Sequence, residues 1–246
     1  MSELILPDRI LTLFPKTGKQ ILEIFHLSKV IEYSNFLRDY NEIGGFFSKS
    51  DSEFFLDRHV IESMFHIFVI NSSGYIKASD EVADVGTGPG LPGYLFSCLQ
   101  NSPKVTLIDS QSRRLSLLEK FYKEQNYDSK VSFLYDRMEG IKKQFDLVVM
   151  RSAIRYPWSC EMVYKILKQN SYFIPFLAKR VYDTNFEKTL LQNLGMIIEK
   201  DLDLNELEFL GNRHIKILKK EANPNKGFPR NWESISKEIK RISWEK

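Results

Sequence analysis

The stretch Val82-Ala83-Asp84-Val85-Gly86-Thr87-Gly88-Pro89-Gly90-Leu91-Pro92-Gly93 constrains this chain more than any other. A short apolar run that ends in closely spaced glycines, with proline opening the next segment, reads as a strand turning sharply into a helix. The pattern then repeats. Glu81–Val85 is followed by apolar runs at 105–108, 131–134, 145–150, 172–177, 196–198 and 214–218, and amphipathic segments at 92–99, 112–125, 159–167 and 185–194 lie between them. Alternation at this spacing predicts an α/β fold, a doubly wound and mostly parallel seven-stranded sheet with helices on both faces. Spacing does not give the strand order. A ligand is expected beyond the carboxyl ends of the strands, at the point where the strand order reverses.

The first eighty residues have a different texture. Ile21, Leu22, Phe25 and Lys29 begin a helical stripe, and Phe54, Phe55, His59, Glu62, Met64, Phe65 and Phe68 suggest a second helix. We therefore expect a helical extension over residues 1–79, a core over 80–220 and a basic C-terminal tail over 221–246 packed on or near that core. With 246 residues, 43% apolar and 27% charged, the composition is that of a globular chain with a sizeable core. The apolar runs are too short to span a bilayer, and the N-terminus interleaves charge with apolar residues unlike a signal peptide, so a cytoplasmic protein is expected. Cys98 and Cys160 have no metal-ligand spacing and read as buried thiols, and no metal is expected. The net charge of +3 is unevenly spread: residues 212–246 hold ten basic and four acidic side chains, or +6, leaving −3 on the rest. A basic end on a faintly acidic body suits contact with an anion such as nucleic acid, although a solvated tail would give the same tally.

The glycine loop, the helix after it and Asp109, which closes the second strand 23 residues after Gly86, together indicate an adenosine cofactor whose ribose hydroxyls the acid would bind. The helix start is expected to aim free N–H groups at the ligand. A merely tight strand–helix turn is the plain alternative. NAD is another, because Gly88, Gly90 and Gly93 formally fit G-x-G-x-x-G. That register falls two residues late, however, and Pro92 restricts the helix entry. Asp84 at the strand end would also repel a pyrophosphate. S-adenosylmethionine carries no phosphate and has a cationic sulfonium and ammonium, so it tolerates the acid and is the expected cofactor.

The loop 84–93 with Thr106-Leu107-Ile108-Asp109-Ser110 and Arg113-Arg114 resembles the RsmG (GidB) family of bacterial small-subunit rRNA guanine-N7 methyltransferases. The likeness covers most of the chain. Upstream, Arg58-His59-Val60-Ile61-Glu62-Ser63 is similar to the family's R-H-[FIV]-[LI]-D-S, and Tyr40-Asn41 to its W-N. Downstream, Arg137-Met138-Glu139, Val148-Val149-Met150-Arg151, Ala178-Lys179-Arg180, Arg213-His214-Ile215 and Phe228-Pro229-Arg230 resemble family segments in the same order. The chain departs from the family at Gly45-Phe46-Phe47, where N-L-T is usual, at Glu62 in place of Asp, after Arg151, and at Asn231-Trp232-Glu233.

The resemblance implies a class I S-adenosylmethionine-dependent methyltransferase, Rossmann-like, acting on N7 of a guanine in the 530-loop region of 16S rRNA. It implies cofactor contacts from Asp84, Gly86, Gly88, Gly90, Leu91, Asp109, Met138 and Glu139. Arg151 would lie at the methyl-transfer site, in both cofactor and catalytic roles. RNA would meet Arg58, His59, Lys179, Arg180, Arg213 and Arg230, and Phe228 and Trp232 could stack on bases. The partner would be 16S rRNA or an assembling small subunit, and a monomer is expected. Guanine N7 is an unprotonated lone pair at neutral pH, so its methylation needs no general base, only alignment and exclusion of water. Two other readings stay open on sequence alone: a methyltransferase of another substrate, and a degenerate family member that binds rRNA without transferring methyl.

Overall fold

The apolar runs become strands β1 (Glu81–Val85), β2 (Lys104–Ile108), β3 (Val131–Leu134), β4 (Phe145–Arg151), β5 (Leu167–Leu177), β6 (Met196–Asp203) and β7 (His214–Lys220). They form one sheet in the computed structural model, which describes residues 5–127, 130–177 and 183–244. The hydrogen-bonded order is β3-β2-β1-β4-β5-β7-β6. Strands β1 to β5 run parallel, and β7 lies antiparallel between β5 and β6. The central strands are buried on both faces, as in β1, where four consecutive residues are buried, and this is why they read as continuous apolar runs. The order reverses between β1 and β4, which places the ligand crevice at the ends of those two strands.

Two strands are longer than their apolar runs. β5 starts at Leu167 because the polar stretch 168–171 is accommodated by a register shift against β4, with Asn170 at φ +62. β6 continues to Asp203 as an edge strand paired only with β7, so its largely exposed faces carry polar residues that hide it from an apolar-run reading.

The N-terminal part consists of α1 (Ile5–Leu13), α2 (Gly18–Ile24), α3 (Leu27–Asp39) and the short turns α4 (Asn41–Gly44) and α5 (Lys49–Ser52). A π-helical turn, Leu56–Ile61, then runs into α6 (Glu62–Ser72). The stripe beginning at Ile21 is split between α2 and α3 because Phe25 leaves the helix to bridge Leu99, and the His26 N–H donates to the Cys98 carbonyl at 2.7 Å. These helices share a hydrophobic core with one face of the sheet, with α7 (Gly93–Ser97) and with α8 (Ser112–Glu124). At its centre Tyr33 meets Tyr94 at 4.3 Å, and the Tyr33 hydroxyl donates to the Pro89 carbonyl at 2.9 Å. The N-terminal helices therefore hold the glycine loop directly.

The opposite face is covered by α9 (Ser159–Val163), α10 (Thr184–Leu194) and α11 (Trp232–Trp244). α10 is capped by Asp183, whose carboxylate accepts from the Asn185 and Phe186 N–H groups, and it stops at Gly195 in the left-handed region. α11 falls inside the segment expected to be a basic tail. It is an amphipathic helix: Ile235 is fully buried, and Ile239 and Ile242 pack beside it at spacings of four and three.

Candidate functional site

The chain leaves β1 at Val85 and must reverse within a few residues to enter α7. Gly86 takes φ +70 and Gly88 φ +57, a region that costs a side-chain-bearing residue about 1–2 kcal/mol. Gly86 is also pressed against the segment after β4, where a Cβ would overlap that of Ala153. The loop's N–H groups are satisfied internally. Those of Gly86 and Thr87 donate to the Ile108 carbonyl, and Gly88 N donates to Asp109 Oδ2 at 2.8 Å. Gly90 and Leu91 donate to the Thr87 carbonyl, and Gly93 N donates to Asp84 Oδ2 at 2.8 Å. Prolines 89 and 92 have none to give. The free N–H groups expected from the sequence are therefore absent from this loop, because backbone carbonyls take four of them and Asp84 and Asp109 one each. A pyrophosphate would find a carboxylate where a phosphate cradle needs donors, which excludes the dinucleotide reading on geometry.

Asp84 is fully buried. Its Oδ2 accepts from Thr87 Oγ1 at 2.6 Å and from Gly93 N, while its Oδ1 has no partner. Burial pushes the carboxyl up to about 6, against the pull of these two donors and of the Arg151 charge. An acid held in this way has one oxygen left for a cationic ligand. Asp109 accepts from Gly88 N and, through Oδ1, from Gln111 N at 2.8 Å, and its remaining lone pairs are available to hydroxyls.

Beside the loop opens a cavity of about 320 Å³ between the ends of β1, β2 and β3. Gly86, Asp109, Met138 and Glu139 line it as expected, together with Asp136, Ile154, Met162 and Trp232. Leu91, by contrast, is buried in the N-terminal core, and Gly88 and Gly90 shape the loop without lining the cavity. Asp84 also lines none of the cavities and lies fully buried behind the loop, with one oxygen unpartnered. The apolar slot between Ile108 and Met138 fits the adenine of S-adenosylmethionine and the acid at Asp109 its ribose, while the unanswered Asp84 oxygen suits a ligand that carries positive charge.

On the other side of the segment Ser152–Ile154 lies a second cavity, of about 510 Å³. It gathers residues from distant parts of the sequence: Arg58 and His59 from the π-helical turn, Arg151 from the end of β4 and Arg213 before β7. Its two acids are each paired, Asp51 with Arg58 at 3.0 Å and Glu62 with Arg213. Arg151 is half-buried, and none of the described residues accepts a hydrogen bond from its guanidinium. Burial lowers its pKa, opposed by the charges of Glu62 and Asp84. His59 stacks on Phe47 at 4.5 Å and is lowered to about 4, mainly by burial and then by Arg151, so it is neutral at physiological pH. A third cavity along the segment after β4, lined by Ser152, Ile154, Arg155 and Tyr156 among others, shares Ile154 with the first and Ser152 with the second.

The remaining expected residues separate. Lys179 and Arg180 lie outside the described residues. Arg230 lines none of these cavities. Its guanidinium grips the buried carboxylate of Glu161, with Nε to Oε2 at 2.9 Å, and reaches Glu238 of α11 at 2.8 Å. Phe228 sits within 5.7 Å of that guanidinium and packs on the second core. Trp232 is at the cofactor cavity and lines none of the arginine cavity. Sequence reasoning missed Asp51 and Phe209 in the arginine cavity. Neither carries a motif, and only the fold brings them there.

Comparisons with known proteins bear on the family and the fold. The family model described as "GidB: rRNA small subunit methyltransferase G" matches residues 26–194. Ribosomal RNA small subunit methyltransferase G of Leptospira biflexa serovar Patoc is 41% identical over 98% of both chains. The protein of the same name from Leptospira interrogans is 44% identical over 95% of this chain and 91% of that one. Among solved structures, magnesium protoporphyrin IX methyltransferase (ChlM) from Synechocystis PCC 6803 with bound SAM superposes with a TM-score of 0.54. It is 15% identical and covers 77% of this chain and 97% of its own. The ribosomal protein L11 methylase from Lactobacillus delbrueckii subsp. bulgaricus gives 0.51 at 14% identity, covering 66% and 80%. These two likenesses establish the fold, a class I methyltransferase sheet. The chain belongs to the rRNA small subunit methyltransferase G (GidB) family.

Proposed function

We propose that this S-adenosylmethionine-dependent methyltransferase acts on small-subunit rRNA and methylates N7 of a guanine in the 530-loop region of 16S rRNA. One observation carries the reading. An arginine-walled cavity adjoins the cofactor cavity across Ser152–Ile154 and, among the described residues, holds no group poised as a base. His59, held to about 4, is too weak a base to drive a deprotonation, and Asp51 and Glu62 are ion-paired. Methylation of an exocyclic amine or a hydroxyl would call for a base, whereas guanine N7 already presents its lone pair.

The bound cofactor supplies an electrophilic methyl group; everything else falls to side chains of this protein. Asp84 would hold the ammonium and Asp109 the ribose, while Met138 and Glu139 border the adenine slot. Arg151 can donate to guanine O6, beside N7, and so read the base without blocking the attacking lone pair. Arg58 and Arg213 would neutralise phosphates at the mouth. N7 lies in the deep major groove of A-form RNA, so the target base would be in a loop or splayed out. We take the protein to act as a cytoplasmic monomer; among the described residues no helix is long and apolar enough to cross a membrane.

The test is methyl transfer from labelled cofactor to deproteinised 16S rRNA and to small subunits, followed by nuclease digestion and mass spectrometry of the nucleosides. N7-methylguanine at one site is expected. A label in any other nucleoside, or none from enzyme that binds cofactor in calorimetry, would overturn the proposal.

A further inference from the structure

The segment Phe228–Trp244 lies beyond the family match, which ends at residue 194, and the sequence alone suggested it as an RNA-binding tail. The structure gives it other work. Arg230 is locked by its backbone N–H and guanidinium onto Glu161, whose side chain is wholly buried in α9. Glu238, two turns along α11, accepts from both Arg230 and the Trp158 indole at 2.8 and 2.7 Å. Asn231 caps the helix by accepting from Ser234 N at 2.9 Å. Between the clamp and the cap, Trp232 is the first residue of α11. It is 37% exposed, so part of its indole is open to a ligand.

The indole forms a wall of the cavity whose other sides are Asp109, Asp136, Met138, Glu139 and Met162. That is the half of the site formed by the ends of β2 and β3, away from Arg151, and hence the adenosine half. We propose that Trp232 is a cofactor-binding residue whose indole stacks on the adenine, so that α11 closes the adenosine pocket instead of contacting RNA. A purine ring between a thioether and an indole has apolar contact on both faces, while its edges reach the polar rim. The clamp at Arg230 and Glu161 is then the positioning device, holding the indole at the cavity without touching the cofactor.

This inference rests on the cofactor reading of the cavity, and the experiment separates the two. S-adenosylhomocysteine binding to the full chain is measured by calorimetry for wild type, Trp232→Ala, Trp232→Leu and Trp232→Phe, alongside filter binding of 16S rRNA. Loss of one aromatic–base stack raises the dissociation constant by about tenfold in the Ala and Leu variants. The Phe variant stays within about threefold, and rRNA affinity is unchanged in all. Leu retains apolar bulk without a π face, so it reports on stacking even if the Ala variant folds poorly. Equal cofactor affinity in Leu and wild type overturns the inference, as does weakened rRNA binding with cofactor affinity intact. Absence of binding by the wild type would remove the reading of the cavity itself.

Discussion

The buried Asp84 destabilises the cofactor-free protein, and the cost can be measured through its pH dependence. Its carboxyl rises from the ordinary 3.8 to about 6, which corresponds to about 3 kcal/mol of preference for the neutral form in the folded state. Between those two values the folded protein holds a proton that the unfolded chain has released. Stability therefore falls as pH rises through this window, and the full penalty is present above about pH 6. Asp84→Asn removes the titration. The amide oxygen can keep the Thr87 and Gly93 hydrogen bonds, and any cost of burying the new NH₂ group is independent of pH. The difference in unfolding free energy between variant and wild type should thus move in favour of the variant by up to about 3 kcal/mol from pH 4 to pH 7. At about 2–4 °C per kcal/mol for a chain of this length, the gap in Tm should move by about 6–12 °C. Other carboxylates titrate equally in both proteins and cancel. The assay is urea or thermal unfolding of both proteins, without cofactor, at half-unit pH steps. The variant should also lose S-adenosylmethionine binding, because the partner for the ammonium is gone. A gap that stays constant with pH, or that moves in favour of the wild type, would refute the reasoning.

Other substitutions probe the loop, the arginine cavity and the C-terminal clamp. Gly86→Ala meets both the left-handed backbone and Ala153, so it should cost about 1–2 kcal/mol of stability from the backbone alone and abolish cofactor binding in calorimetry. Arg58 is exposed and its pair with Asp51 contributes little to the fold, so Arg58→Ala should melt with wild type while the slope of log K against log[salt] for rRNA binding falls by about 1. Arg230→Met leaves the wholly buried Glu161 without its cation, and chemical denaturation should show a loss of about 3–5 kcal/mol with the rRNA salt slope unchanged.

How far the molecule was legible in its sequence differs from part to part. The buried parallel strands could be read because they are apolar without interruption, β5 and β6 only over their apolar parts because their polar stretches gave no signal, and the glycine loop declared its turn through its glycines. The order of the strands could not be read, since hydrogen bonding between segments leaves no local mark. The meeting of Arg58, Arg151 and Arg213 was legible only through the resemblance to a family, because they are joined by a sheet end and not by spacing. Free N–H groups at the helix start were expected from general helix geometry, but the Ile108 and Thr87 carbonyls and two acids of the motif itself consume them. The C-terminal segment was expected to pack on or near the core, but its helix went unread because its positive charge drew attention from Ile235, Ile239 and Ile242, whose spacing marks a buried helical face. Arg230 likewise looked like an RNA contact, because a buried glutamate 69 positions earlier cannot be paired with it by eye.

The central claim is that two adjoining cavities transfer a methyl group to a lone pair without help from a base. The most direct measurement is the single-turnover rate of methyl transfer to 16S rRNA, with saturating cofactor, as a function of pH. The rate should be flat across roughly pH 6.5 to 8.5, because no side chain of the site must lose a proton for the reaction. A rate that climbs tenfold per pH unit anywhere in that range would show a deprotonation in the transition state and contradict the claim.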